Sequence, residues 1–322
     1  METALTMITA RRCCLMASLF GLITVGLMLQ CVLAHAMAPK TSSARAGRAV
    51  VLQTFRARQL VLDLAIAKCR RSECPIEVWV RASGRIVDRV TLPVAAGSQR
   101  AKAAIVDAIW GADAGLRAWA TGHENDYVAT GARMLQLDPQ TAALLVSQQY
   151  GFEHIKRNHL VILPRAGRLT VAWKAKEGAG PTWSTTQVIG GQRGERHEII
   201  YLNGFFEPEE DAADRLDVAR LSWDHASARL RQTALPARNE PLHLLDLGTH
   251  DSAAQARQAR STNFCLASYF VLDASRFRAV EGGNAIVGML YASRALAEEA
   301  ANAVKTCQPD ATVSIETWTA AP

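Results

Sequence analysis

Two stretches near the C-terminus decide how this chain is read: Leu244–Cys265, LLDLGTHDSAAQARQARSTNFC, and Ile286–Cys307, IVGMLYASRALAEEAANAVKTC. Each passes from an apolar run through a polar turn and an Ala-rich segment to a cysteine. They align without a gap. Leu245 and Leu247 fall on Val287 and Met289, and Ala253, Ala259 and Cys265 fall on Ala295, Ala301 and Cys307. Asp251 and Ser293 stand together at the start of the Ala-rich runs. Both are residue types that cap a helix N-terminus, because a side-chain oxygen accepts a backbone N–H left free there. After each cysteine the chain turns β-rich again, in ASYFVLD and ATVSIET.

Each unit therefore reads strand, helix, strand. Gly282-Gly283-Asn284 is suited to the turn between the inner strands. The order βαββαβ over residues 242–322 is that of a ferredoxin-like domain. In the second helix, Leu296, Ala300, Val304 and Cys307 share one face at helical spacing. The first carries Arg257 and Arg260 among small residues and covers a sheet less fully.

Upstream the pattern is different. Ile76, Val78 and Val80 alternate before a Gly turn, and Ile86 to Leu92 returns between Pro75 and Pro93, which is a hairpin signal. A second hairpin reads HLVILPRAGRLTVAWK, and further short strands follow at regular spacing, cut by Gly and Pro. Residues 50–226 are expected to form a β-rich domain: a sandwich, a barrel or a propeller-like sheet. The segment around SQRAKAAIVDAIW breaks this pattern and reads as partly helical. The Arg-rich stretch 227–241 reads as a linker. The expected class is thus α+β, a β-rich domain followed by a ferredoxin-like one.

The N-terminus reads as a targeting segment. Arg11 and Arg12 precede an apolar run to Leu33, and Ala34 and Ala36 form a small-x-small cleavage pattern. Residues 1–36 are read as a signal peptide and 37–49 as a linker. Retained uncleaved, the apolar run is long enough to anchor the chain in a membrane, and only then is a membrane expected as a partner. The expected location is periplasmic or secreted. Export leaves Cys69, Cys74, Cys265 and Cys307, an even number in an oxidising compartment, with three connectivities open. Cys69 and Cys74 suit a local loop, and Cys265 with Cys307 follows by elimination. That second pair conflicts with ideal repeat geometry, which places equivalent helix ends far apart, whereas a disulfide needs Cα atoms within about 7 Å.

The C-terminal repeats resemble SPOR domains, small exported modules. LDLGTH matches the phase of that family's first strand, with Leu245 and Leu247 as the buried pair, Asp246, Gly248 and Thr249 at its polar and glycine positions, and His250 in place of an aromatic. SRALAE, Ser293 to Glu298, resembles the second helix start. The Gly-Pro-Phe usual before it is replaced by Leu290-Tyr291-Ala292. The resemblance implies binding of peptidoglycan glycan strands. If Leu245 and Leu247 face the helices, Leu244, Asp246 and Thr249 lie toward the open side and are the expected glycan contacts. The alternative is that this face packs on the β-rich part.

Chemistry is harder to find in the sequence. Glu153, His154 and His159 lack the spacing of a zinc helix and read as surface groups. The acidic run Glu207, Glu209, Glu210, Asp211, Asp214 and Asp217 lacks the ligand order and central Gly of a calcium loop. GAGPTW has no phosphate-binding Lys and Ser/Thr. Trp79, Trp173, Trp183 and Trp223 read as core aromatics. No catalytic residue, metal or cofactor is assigned. The formal charge of +6 comes mainly from scattered Arg, without a nucleic-acid-binding signature, so no nucleic-acid partner is expected. The function expected is that of an exported cell-envelope binding protein, with peptidoglycan or another envelope component as its partner. The alternatives are a structural or protein-interaction role without glycan binding, and an exported hydrolase.

Overall fold

The computed structural model describes residues 49–57, 59–70, 73–104, 117–121, 128–150, 156–175, 182–190, 196–207, 209, 211–235, 241–267, 269–277 and 284–319. The expectations for the signal peptide, for Glu153 and His154, for Gly282 and Gly283 and for most of GAGPTW fall outside these residues. The described strands form four antiparallel sheets. Sheet 1 is a meander of β1 (Val50–Ala57), β2 (Leu60–Ile66), β3 (Ile76–Ala82) and β4 (Arg85–Thr91). Sheet 2 holds β5 (Ala101–Ala104), β6 (Arg117–Thr121), β7 (Val128–Asp138), β8 (Thr141–Tyr150), β9 (Lys156–Arg165) and β10 (Arg168–Lys174), again in sequence order. Sheet 3 is β11 (Thr182–Gly190), β12 (His197–Phe205), β13 (Arg215–Asp224) and β14 (Arg229–Leu235).

The fourth sheet contains β15 (Leu242–His250), β16 (Phe270–Asp273), β17 (Ala285–Tyr291) and β18 (Ser314–Trp318), in the order β16-β17-β15-β18. Helix α1 (Ala253–Thr262) links β15 to β16, and α2 (Arg294–Cys307) links β17 to β18.

Alternation along single strands shows how the sheets stack. On β2 and β3, Leu62, Leu64, Ile66, Ile76, Val78 and Val80 pair across strands and share one core with Leu144, Val146 and Ile162 of sheet 2. The residues between these, Ala143, Leu145 and Val161, point the other way and join Ile199, Tyr201 and Leu221 of sheet 3. Ile200, Leu202, Leu216 and Val218 then leave the opposite face of sheet 3 for a third core with the fourth sheet. A strand buried on both faces reads as a continuous apolar run, as in Ala143-Leu144-Leu145-Val146.

This arrangement corrects the expected fold class. The described chain is β-rich, with helices only in its last part, and residues 242–318 are not a separate ferredoxin-like domain. The fourth sheet shares its core with sheet 3, and residues 47–322 form one compact unit. Its two faces can be told apart. Leu245 pairs with Ile315, which lines a groove beside α2. Asp246 pairs with Gly288, which pairs with Phe270, and Phe270 stacks on Phe206 with ring centroids 4.8 Å apart. So Leu245 faces the helices, and the other face is packed against sheet 3 rather than open.

Local signals fare unevenly. Ser293 caps α2, its hydroxyl accepting from the Leu296 N–H. At α1 the cap is Ser252, not Asp251. Ala101–Ala104, expected in a partly helical segment, is strand β5, and Arg229–Leu235, expected in a linker, is β14. Ser83-Gly84 and Ala166-Gly167 both have φ between 45° and 77° at each residue. That is the conformation of a two-residue type I′ turn, whose twist matches the strands it joins.

Candidate functional site

A concavity lies between α2 and the edge strand β18. It encloses about 390 Å³. Ala301, Val313 and Ile315 form its apolar floor, and Arg294, Glu298, Asn302 and Lys305 its polar rim. The sequence builds this geometry directly. Ala297, Ala300, Ala301 and Val304 bury one stripe of α2, which brings the helix down close to the sheet. Residues at Arg294, Glu298 and Lys305 then flank the stripe at helical spacing. Arg294 Nε and Glu298 Oε1 are 2.9 Å apart. His243 on β15 lies near this pair. Its imidazole pKa is lowered, first by burial and then by the Arg294 cation, with Glu298 opposing. β18 is the edge strand of the fourth sheet and pairs with β15 among the described strands.

The residues expected to contact glycan are not presented together. Leu244 is fully buried and Asp246 is 8% exposed. Asp246 accepts from the Gly248 N–H at 2.8 Å and from the Thr249 hydroxyl at 3.2 Å, which shapes the strand irregularity there. Thr249 is exposed.

Both disulfides form, Cys69–Cys74 and Cys265–Cys307. The geometric conflict at the second pair is resolved by displacement. α1 stops at Thr262, and a 3-10 turn, Phe264–Leu266, carries Cys265 toward the end of α2. The Cα atoms are 5.9 Å apart. Asn263 Nδ2 donates to Gln308 Oε1 beside the bond.

One important group is invisible among its neighbours in sequence. Asp214, in the acidic run, has a completely buried side chain. Its carboxylate accepts from Arg257 Nη2 at 3.2 Å, from Arg260 Nη1 at 2.8 Å and from the Val271 and Glu207 N–H groups. Arg257 also donates to the Glu207 and Ala212 carbonyls. The two arginines that appear misplaced on a sheet-covering helix therefore bolt α1 and β16 to the start of β13. Three residues apart on a helix, they share a face, and that spacing was the available clue.

His159 is buried rather than at the surface. Its Nδ1 is 2.8 Å from Ser147 Oγ, and its ring meets Tyr201 edge-on. Burial pushes its pKa down to about 3, reinforced by Arg157 and partly opposed by the Ser184 backbone. Trp79 is buried, whereas Trp173 and Trp223 are half-buried at the rim of the core between sheets 2 and 3. Among the described residues no group of three or more His, Cys, Asp or Glu is placed to hold a metal ion. No helix among them is long and apolar enough to cross a membrane.

Comparison with protein-family models, with curated proteins and with solved structures finds no match.

Proposed function

We propose that the protein works outside the cytoplasm as a binding protein of the cell envelope, holding an extended polypeptide segment of another envelope component along β18. Two disulfides agree with an oxidising compartment, where such bonds persist. The observation that carries the binding reading is the α2 groove, which opens beside β18 at the edge of the fourth sheet. A strand added to such an edge gains main-chain hydrogen bonds, while alternate side chains enter the groove for selectivity. The apolar floor suits an aliphatic side chain, and rim charges of both signs suit a polar, zwitterionic segment.

A second reading places peptidoglycan glycan in the same groove. It is favoured by the four polar side chains on the rim, which match sugar hydroxyl and carboxylate groups. A photo-crosslinking side chain at exposed Thr317, used in intact cells, separates the two. Polypeptide adducts that disappear in an Ile315→Arg background support the first reading. Adducts to muropeptide or glycan fragments, together with retention on purified sacculi, support the second. Absence of any adduct sensitive to Ile315→Arg removes both.

A further inference from the structure

Four hairpin ends from three different sheets converge at one end of the stack. The β3–β4 and β9–β10 turns touch there: Val87 Cγ2 lies 3.6 Å from the position a side-chain carbon on Gly167 would occupy. The Leu169 N–H donates to Asp88 Oδ2 at 2.8 Å, which locks the two edge strands together. Arg165 reaches over the Trp223 ring at 5.7 Å and so joins the β13–β14 end. That end in turn meets the β7–β8 turn, where His225 Nε2 is 3.3 Å from Asp138 Oδ2.

This end is cationic and apolar at once. Arg85, Arg165, Arg168 and Arg229 are exposed. Three carboxylates stand nearby, Asp88 accepting from the Leu169 N–H, Asp138 accepting from the Gln140 and Thr141 N–H groups and Asp224 paired with Arg231 at 2.6 Å, and the arginines outnumber them. Between the arginines stand Ile86 and Val87, 50% and 51% exposed. Exposed β-branched residues on an edge strand are an association hazard unless something covers them.

We infer that this end docks on an anionic lipid bilayer surface. The arginines meet headgroup phosphates, and Ile86 and Val87 enter the boundary between headgroups and acyl chains. A purely polyanionic partner would use the arginines and leave the two aliphatics in water. A lipid surface uses both, since interfacial binding combines buried apolar area with attraction to anionic headgroups. The surface is distinct from the α2 groove and stands independently of the function proposed there.

The test is vesicle co-sedimentation of the full chain with phosphatidylglycerol vesicles and with phosphatidylcholine vesicles. Every protein compared carries the same N-terminus, so any contribution of the apolar N-terminal run is common to all. The expected result is preferential binding to phosphatidylglycerol, weakened by salt at about 1 M, where the screening length falls to roughly 3 Å. Arg85→Glu/Arg168→Glu lowers that binding by at least about tenfold. Ile86→Ser/Val87→Ser, which removes only exposed side chains, lowers it several-fold and leaves binding to a polyphosphate resin unchanged. Equal binding to both vesicle types, or anionic-vesicle binding unchanged in the arginine pair, overturns the inference. If the Ser pair has no effect on vesicles, and the wild type binds polyphosphate as tightly as phosphatidylglycerol, the site is one for soluble polyanions and the lipid assignment fails.

Discussion

The junction between sheets 2 and 3 and the junction between sheets 3 and 4 both bury a polar group, and they handle it in opposite ways. His159, between sheets 2 and 3, has the Ser147 hydroxyl, the Tyr201 ring and the Ser184 backbone beside it, and burial keeps it neutral. Asp214, between sheets 3 and 4, is met by two guanidinium groups and two backbone N–H groups. Apolar packing is non-directional. It holds either pair of sheets together without fixing how one is rotated on the other. The Asp214 cluster supplies direction, because guanidinium and carboxylate groups tolerate few relative orientations. The fourth sheet is therefore keyed to the stack by a buried charge cluster, whereas sheets 2 and 3 are keyed by separate contacts, among them the Gln136 N–H donating to His197 Nδ1 at 2.8 Å, Arg157 donating to the Ser184 carbonyl at 3.2 Å and the His225–Asp138 pair.

The first way to break this contrast is Asp214→Ala. It leaves Arg257 and Arg260 partly buried without a counter-charge, and removing one partner of a buried pair is expected to cost about 3–5 kcal/mol. Urea unfolding should show that loss, with residues 242–318 becoming protease-sensitive before the rest. Replacing the cluster as a whole by apolar residues (Asp214→Leu, Arg257→Met, Arg260→Met) should restore much of the stability. If Asp214→Ala leaves the midpoint unchanged, the cluster is not what keys the junction.

Next in size is the disulfide of the fourth layer. Cys265→Ser/Cys307→Ser should cost about 2–4 kcal/mol through the larger freedom of the unfolded chain. It should not expose the sheet 3–4 junction, because the bond ties α2 to the 3-10 turn and not to sheet 3. Hydrogen exchange at β13 and β16 distinguishes the two outcomes. Fast exchange there would show that the bond also holds the junction.

Smaller again is the effect of Gly204→Ala. A Cβ at Gly204 would lie 2.2 Å from Phe270 Cζ, on the ring that stacks on Phe206. Overpacking of this kind costs about 1–3 kcal/mol. A double-mutant cycle with Phe270→Leu should recover part of it. Simple additivity of the two losses would mean that the ring does not set the distance between the sheets.

These tests also mark what the sequence could and could not reveal. Alternation in β3 and the serine before α2 carry local information, and both are legible because they depend on neighbours within a few residues. The stacking is not legible. Ala143-Leu144-Leu145-Val146 announces burial on both faces, but nothing in it says which sheet lies on which side. The repeated units at the C-terminus leave two arrangements open, a layer with a free face and a layer packed on the β-rich part. That face carries Leu244 and Phe270, and such residues are equally suited to an internal core and to a core shared with sheet 3. Asp214 was hidden for a related reason. Six acids within a few residues look alike until the fold buries one of them. As for the candidate site, the α2 stripe can be read from spacing, while the place of β18 at the edge of the sheet depends on strand order, which no local pattern encodes.

The gentlest probe of the contrast is acid. His159 has a folded pKa near 3, below its ordinary value of 6.5. Between those values the unfolded chain binds a proton that the folded one refuses. Stability therefore falls as pH drops from about 6.5 toward 3, with a slope approaching at most about 1.4 kcal/mol per pH unit from this one group. Above 6.5 its contribution is complete. Asp138 acts in a lower window. Burial pushes its pKa up, but the Thr141 and Gln140 hydrogen bonds and the His225 charge together outweigh burial and leave it lowered, so the stability it contributes is lost as pH falls below about 4. Between pH 6.5 and 4.5 the two effects separate. His159→Gln keeps a polar partner for Ser147 and removes the titration, so its urea midpoint should stay flatter across that window than the wild type's. If both slopes are equal, the acid sensitivity of the sheet 2–3 junction lies elsewhere. If the variant is flat, a neutral group in that position is sufficient, and the buried polar group between sheets 2 and 3 holds its place without a charge, in contrast to Asp214 between sheets 3 and 4.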